Sequence, residues 1–168
     1  QAPEYWCSLG NARLAAGDPG GAEAAYIRAA HIDPADAPTF FCRLADASLR
    51  AGFPEQAQRA WTRCLALSPD EPLYLMGLGD VLILGGEPDA AEEAYDRAAS
   101  INPAAAGICW HRLGNLLTKE GLHPRATEAF AKAVAAEPEN PRYLLRLAGS
   151  YAARGLDDCA AVALCRAE

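Results

Sequence analysis

One feature constrains this chain more than any other: it repeats itself. The dipeptides Leu9-Gly10, Leu44-Ala45, Leu78-Gly79, Leu113-Gly114 and Leu147-Ala148 recur at spacings of 35, 34, 35 and 34 residues. Gly17, Gly52, Gly86, Gly121 and Gly155 each follow eight residues after the Leu. Ala22, Ala57, Ala91, Ala126 and Ala160 come five later, and Tyr26, Trp61, Tyr95, Phe130 and Leu164 four after those. Pro34, Pro69, Pro103 and Pro138 close the first four units. A unit this short cannot bury its own apolar faces, so neighbouring units must stack.

Each unit reads as two helices. In the first, Trp6, Leu9, Gly10, Arg13 and Leu14 share one face of a leading helix over Glu4 to Ala16. Gly17 ends it, because glycine enters the left-handed cap conformation without a side-chain clash. A following helix runs from about Gly20 to His31, and Pro34 prevents further extension. Helix content should therefore reach roughly 80%, with no strand. Gly10, Ala45, Gly79, Gly114 and Ala148 keep the leading helices slim, as the Ala series does for the following ones. Slim faces allow helix axes to approach to about 8 Å. The aromatic series should fill the space beside them.

These residues resemble the tetratricopeptide repeat family. Its W-x2-L-G-x2-Y, A-x3-F and P pattern is met by Trp110, Leu113, Gly114, Leu117, Ala126, Phe130 and Pro138. Trp6, Leu9, Gly10, Ala22, Tyr26 and Pro34 match in the first unit. Arg13 and Ser48 depart from the pattern, as does Leu164 at the aromatic position. The resemblance implies an all-α, right-handed superhelical solenoid of five tandem helix-turn-helix repeats, a single array over 1–168. The units fall near 3–36, 38–71, 72–106, 107–140 and 141–168, the last incomplete.

The resemblance also implies a concave groove, lined by leading helices, that binds peptides. Two residues after each Leu stand Asn11, Asp46, Asp80, Asn115 and Gly149; two before it stand Cys7, Cys42, Met76, His111 and Leu145. The two sets are four apart, so they share a helix face. An amide both donates to and accepts from a peptide backbone. The Asn and Asp ladder resembles that of O-linked N-acetylglucosamine transferases, with Asp46 and Asp80 shifting preference towards ligands bearing donors or positive charge. The expected groove residues are Asn11, Cys42, Asp46, Met76, Asp80, His111, Asn115, Arg142, Leu145 and Arg146. The bland alternative is that these polar groups line a water-filled channel. Asn115, Arg142 and Arg146 invite comparison with the carboxylate clamp of chaperone-binding members, but Cys7 and Met76 stand where that clamp needs a cation.

Charge runs unevenly along the groove. Glu4, Asp46 and Asp80 are acidic, whereas Arg112, Lys119, Arg142 and Arg146 are basic. Leu73, Met76, Ile83 and Leu84 lie between them at helical spacing. Some must be core, and any that are exposed would call for a ligand with apolar anchors flanked by charge. The units carry −3, 0, −5, 0 and +1, a net −7. None has the basic stripe a nucleic-acid surface needs. No run of 18 apolar residues offers a membrane span.

The chemistry of the side chains points away from catalysis. No phosphate loop, H-E-x-x-H or C-x-x-C occurs. His31, His111 and His123 fall at different points of the repeat, so no metal site or cofactor is expected. Glu92, Glu93 and Asp96 read as a solvated outer face. The six cysteines do not invite pairing: Cys7 and Cys42 are one helix spacing apart, too far for a disulfide, and Cys159 and Cys165 do not face each other. Cys64 takes the place of Ala29, Ala98 and Ala133 and reads as core. Free thiols point to the cytoplasm. Abundant Ala and Arg, with Lys119 and Lys132 the sole lysines, point to a GC-rich bacterial genome.

The expectation is thus a non-catalytic interaction scaffold holding a protein or peptide. The alternatives are the docking domain of a larger enzyme such as a glycosyltransferase, a secretion chaperone, or a self-assembling scaffold. Both ends look cut. The final helix, about Asp157 to Ala167, is apolar at Ala160, Ala161, Val162, Ala163 and Leu164 and offers a route to a homo-oligomer.

Overall fold

The computed structural model describes residues 2–167. The chain is all-α, 81% helical, with ten α-helices and no strand among the described residues, an architecture of the solenoid class. The helices are α1 (Pro3–Ala15), α2 (Pro19–Ile32), α3 (Ala37–Arg50), α4 (Pro54–Leu67), α5 (Pro72–Leu84), α6 (Pro88–Ile101), α7 (Ala106–Lys119), α8 (His123–Ala136), α9 (Pro141–Ala153) and α10 (Asp157–Cys165). A short 3-10 turn, Pro103–Ala105, precedes α7. The expected helix bounds are met to within two residues at each end. The chain divides into two compact units, Gln1–Gly85 and Gly86–Glu168. The division falls inside the third repeat read from the sequence.

Glycine ends the leading helices for the expected reason. Gly17, Gly52, Gly86, Gly121 and Gly155 all have positive φ, between 71° and 82°. In the first of these turns Gly17 N donates to Leu14 O at 3.0 Å and Asp18 N to Arg13 O at 2.8 Å. The same double closure recurs at Phe53, Leu122 and Leu156, whose amides reach back to Ser48, Leu117 and Tyr151. Orphan carbonyls at each helix end are thereby satisfied.

Proline does more than stop helices. Pro34, Pro69, Pro103 and Pro138 do lie just past the ends of α2, α4, α6 and α8. Pro3, Pro19, Pro54, Pro72, Pro88 and Pro141 instead open helices at their first residue. There the missing N–H costs nothing, and the ring presets a helical φ.

In the first unit, α1 packs on α2 and α3 on α4, with α5 laid against α4. Tyr26 is fully buried, and a Cβ on Gly10 would lie 2.6 Å from its ring. That contact is the reason for glycine in α1. The Trp61 ring meets Gly77 of α5, where a Cβ would lie at 2.5 Å, and stacks obliquely on Tyr74 at 5.9 Å. Cys64 is fully buried, as its register with Ala29 predicts, and its thiol donates to Pro38 O at 3.4 Å.

In the second unit, α7 packs on α8 and α9 on α10, and α8 also meets α9. Phe130 sits against Gly114, where a Cβ would lie 2.6 Å away. Leu113, Leu117, Leu144 and Tyr95 complete a closely packed interior. The acidic face of α6 is solvated at Glu93 and Asp96, as expected, and also carries surface ion pairs. Arg125 pairs with Asp89 and with Glu92 at 3.6 Å, and Lys132 meets Asp96 at 3.4 Å.

Candidate functional site

The two residue sets on the leading helices separate by depth. In the first unit Cys7 is fully buried, Met76 is buried and Cys42 is half-buried. Asn11 and Asp46 are exposed and Asp80 is half-exposed. In the first unit, then, residues before the Leu form a floor and residues after it the surface, whereas in α9 Leu145 and Gly149 are both exposed. The cause is their angular position: the earlier residue sits closer to the stripe that faces the following helices.

Asn11 is held in place from below. The phenol of buried Tyr26 donates to Asn11 Oδ1 at 2.8 Å. Its amide nitrogen is left for solvent or a ligand. The phenol pKa is pushed up to about 12, chiefly by burial. Cys42 and Asp46 face each other one turn apart. Burial, helped by the Asp46 charge, pushes the Cys42 thiol up to about 11. It stays a protonated thiol at neutral pH.

Glu4 is not a free acid on this face. Arg43 of α3 grips it in a bidentate pair, at 2.8 and 3.0 Å. That bond holds the Glu4 carboxyl below its ordinary range. The apolar stretch is split: Met76 and Ile83 are buried, whereas Leu73 and Leu84 are 51% and 52% exposed.

The second unit gathers His111, Asn115, Arg142, Leu145 and Arg146 on α7 and α9. His111 is buried between rings, with centroids 5.2 Å from Tyr143 and 6.0 Å from Phe130. The Asn115 amide nitrogen lies 3.3 and 3.4 Å from its two ring nitrogens. Burial lowers the His111 pKa, and the Arg142 and Arg146 charges lower it further. The imidazole is thus neutral at pH 7, and one ring nitrogen accepts from Asn115. Leu145 is 54% exposed, and Arg142 and Arg146 are exposed too. Neither arginine forms an ion pair with a described residue.

A cleft of about 260 Å³ opens beside this cluster. Its walls include Thr118, Phe130, Leu145, Arg146, Gly149 and Ser150. Sequence reasoning found Leu145 and Arg146 but not the cleft. It also missed exposed Ile108 and the Glu4–Arg43 pair, both of which depend on which helices become neighbours. A legible signal did exist, since Gly149 breaks the polar ladder.

All six cysteines are free thiols: Cys7, Cys64 and Cys109 buried, Cys42 intermediate, Cys159 and Cys165 exposed. Among the described residues no group of three or more His, Cys, Asp and Glu is placed to hold a metal ion. No helix among them is long and apolar enough to cross a membrane.

The sequence profile of the tetratricopeptide repeat family matches residues 42–106 and 111–168. No curated protein matches the sequence at a significant level. Among solved structures, the crystal structure of MamA superposes with a TM-score of 0.67 at 24% identity, covering 95% of this chain and 92% of that one. MamA from Desulfovibrio magneticus RS-1 gives 0.67 at 19% identity, covering 98% and 92%. YrrB, described as a TPR protein with an unusual peptide-binding site, gives 0.61 at 20% identity, covering 96% and 82%. At such identities these likenesses concern the fold.

Proposed function

The chain belongs to the tetratricopeptide repeat family, and from that premise we propose that it is a non-catalytic scaffold that holds a peptide segment of a partner protein on its leading helices. In the first unit the proposed contacts are Asn11, Cys42, Asp46, Met76 and Asp80. In the second they are His111, Asn115, Arg142, Leu145 and Arg146. The observation that carries the reading is Asn11. Its orientation is fixed by a buried phenol, which leaves its amide nitrogen as a preset donor. Side chains ordered before binding lose less entropy when a ligand arrives. Water-channel lining would need no such support. The peptide-binding description of YrrB agrees with this reading. The six free thiols support a cytoplasmic location.

Affinity capture from source lysate tests it, with wild type beside an Asp46→Ala, Asp80→Ala, Asn115→Ala triple variant. The proposal expects a defined partner that the variant loses, together with direct binding of that partner's peptide fragments. Equal retention by both proteins refutes it.

Self-association through α10 is a second reading. Val162 and Leu164 of this helix are 64% and 45% exposed. Light-scattering mass across a dilution series should then rise with concentration, and Leu164→Arg should abolish the rise.

A further inference from the structure

Glycine inside a helix needs a reason, because it costs about 0.5–1 kcal/mol relative to alanine. Gly10, Gly77, Gly107 and Gly114 have one. A Cβ on any of them would meet another side chain at 2.5 or 2.6 Å. Gly149, in the middle of α9, has none: its φ is ordinary, and nothing lies within 4 Å of a Cβ built on it. The fold would accept a side chain there. What its absence leaves is the cleft of about 260 Å³. An apolar cavity of about 150 Å³ already admits benzene, so this space accommodates one bulky side chain.

The walls state which kind. The Ser150 hydroxyl is bonded to Thr127 Oγ1 at 2.6 Å, and Thr118 Oγ1 donates to Gly114 O at 2.7 Å. Their polar capacity is largely met within the protein. Phe130, Leu145 and Ala153 supply apolar surface, and the His123 ring lies among them at the wall. Arg146 stands at the rim without an acidic partner among the described residues.

The first unit shows what such an arginine takes. Arg43 occupies the same register, one residue before the Leu, and grips Glu4 of the preceding leading helix. The residue at the Glu4 register on α7 is Ile108, which is 56% exposed. A carboxylate is missing where the chain elsewhere provides one.

We propose that the gap at Gly149 is an anchor pocket, which takes one bulky apolar side chain of a bound peptide while an Asp or Glu of that peptide pairs with Arg146. The inference rests on the peptide-binding reading above and names the ligand for the second unit.

Panning a phage-displayed library of random dodecapeptides on the full chain tests it. Wild type, Gly149→Leu and Arg146→Gln would be compared. Wild type should enrich peptides that place a large aliphatic or aromatic residue beside Asp or Glu. A synthetic peptide of the enriched sequence should bind Gly149→Leu about tenfold more weakly or worse, the scale of losing a buried anchor. Arg146→Gln should keep the apolar preference and lose the acidic one. The melting temperature of Gly149→Leu should not fall below that of wild type, so lost binding is not lost folding. Enriched peptides without the acidic and apolar pair, or unweakened by Gly149→Leu, overturn the anchor pocket and leave peptide binding standing. Enrichment of nothing by any of the three overturns both.

Discussion

The two units place an arginine at the same register of a leading helix and use it in opposite ways. In the first, Arg43 is consumed by Glu4 of the neighbouring helix. In the second, the Glu4 register of α7 is occupied by Ile108, and Arg146 forms no ion pair with a described residue. A repeat fold keeps its stacking positions nearly constant, so such choices at non-stacking positions are where units diverge.

The largest expected contrast concerns the stacking positions themselves. Tyr26 and Leu164 share the aromatic register, but Tyr26 is fully buried and Leu164 is 45% exposed. Tyr26→Ala should cost about 3–5 kcal/mol, through lost burial and the cavity left behind. It also removes the bond that orients Asn11. Leu164→Ala should change stability by no more than about 0.5 kcal/mol. Chemical denaturation of both variants checks the pair. Similar losses would mean that α10 is as tightly held as α2.

The register was legible because it is steric. Slim residues, the glycine turns and the aromatic series each have one packing role, and five copies repeat it. Gly10 against Tyr26 and Gly114 against Phe130 follow from position alone. Trp61 shows where position stops informing. Its ring also meets Gly77 on the next leading helix, a contact that the register of its own repeat does not announce. The candidate site was legible only in outline. Angular position gave Asn11, Asp46 and Asn115 the same register, each on its own leading helix. Pairings across helices, such as Glu4 with Arg43, depend on side-chain reach and on which helices stack.

Alanine at Gly10 and at Gly149 should act with opposite sign. Gly10→Ala would drive a methyl to within 2.6 Å of the Tyr26 ring and should cost about 1–3 kcal/mol. Gly149→Ala meets nothing and should stabilise by about 0.5–1 kcal/mol, mainly by restricting the unfolded chain. Thermal melts of the two variants separate these outcomes. A destabilising Gly149→Ala would mean that the glycine serves the fold after all.

Moving the acid from the first unit to the second sharpens it further. Ile108→Glu puts a carboxylate at the Glu4 register of α7, one leading helix before Arg146. The side chain at this site is 56% exposed, so the melting temperature should move little. The acidic preference of selected peptides should fall, because the arginine now has an internal partner. An unchanged preference would show that Arg146 does not read ligand charge.

The smallest effect is the most local. His111 has its pKa lowered first by burial and then by Arg142 and Arg146. A folded-state value below the unfolded one favours folding above the ordinary histidine value of about 6.5, and that contribution fades as pH falls through the folded value. An Arg142→Gln, Arg146→Gln double variant removes the charge effect and leaves burial. NMR titration of His111 should therefore show a partial upward move in the variant, still below the ordinary value. An acidic ligand that neutralises either arginine should move the wild-type titration in the same direction. Glu4→Gln in the first unit should leave it unmoved. If His111 titrates at its ordinary value in wild type, it is not buried between Phe130 and Tyr143 in solution. The α7 and α9 faces would then not meet as described, and the contrast between the units would have to be rebuilt from that point.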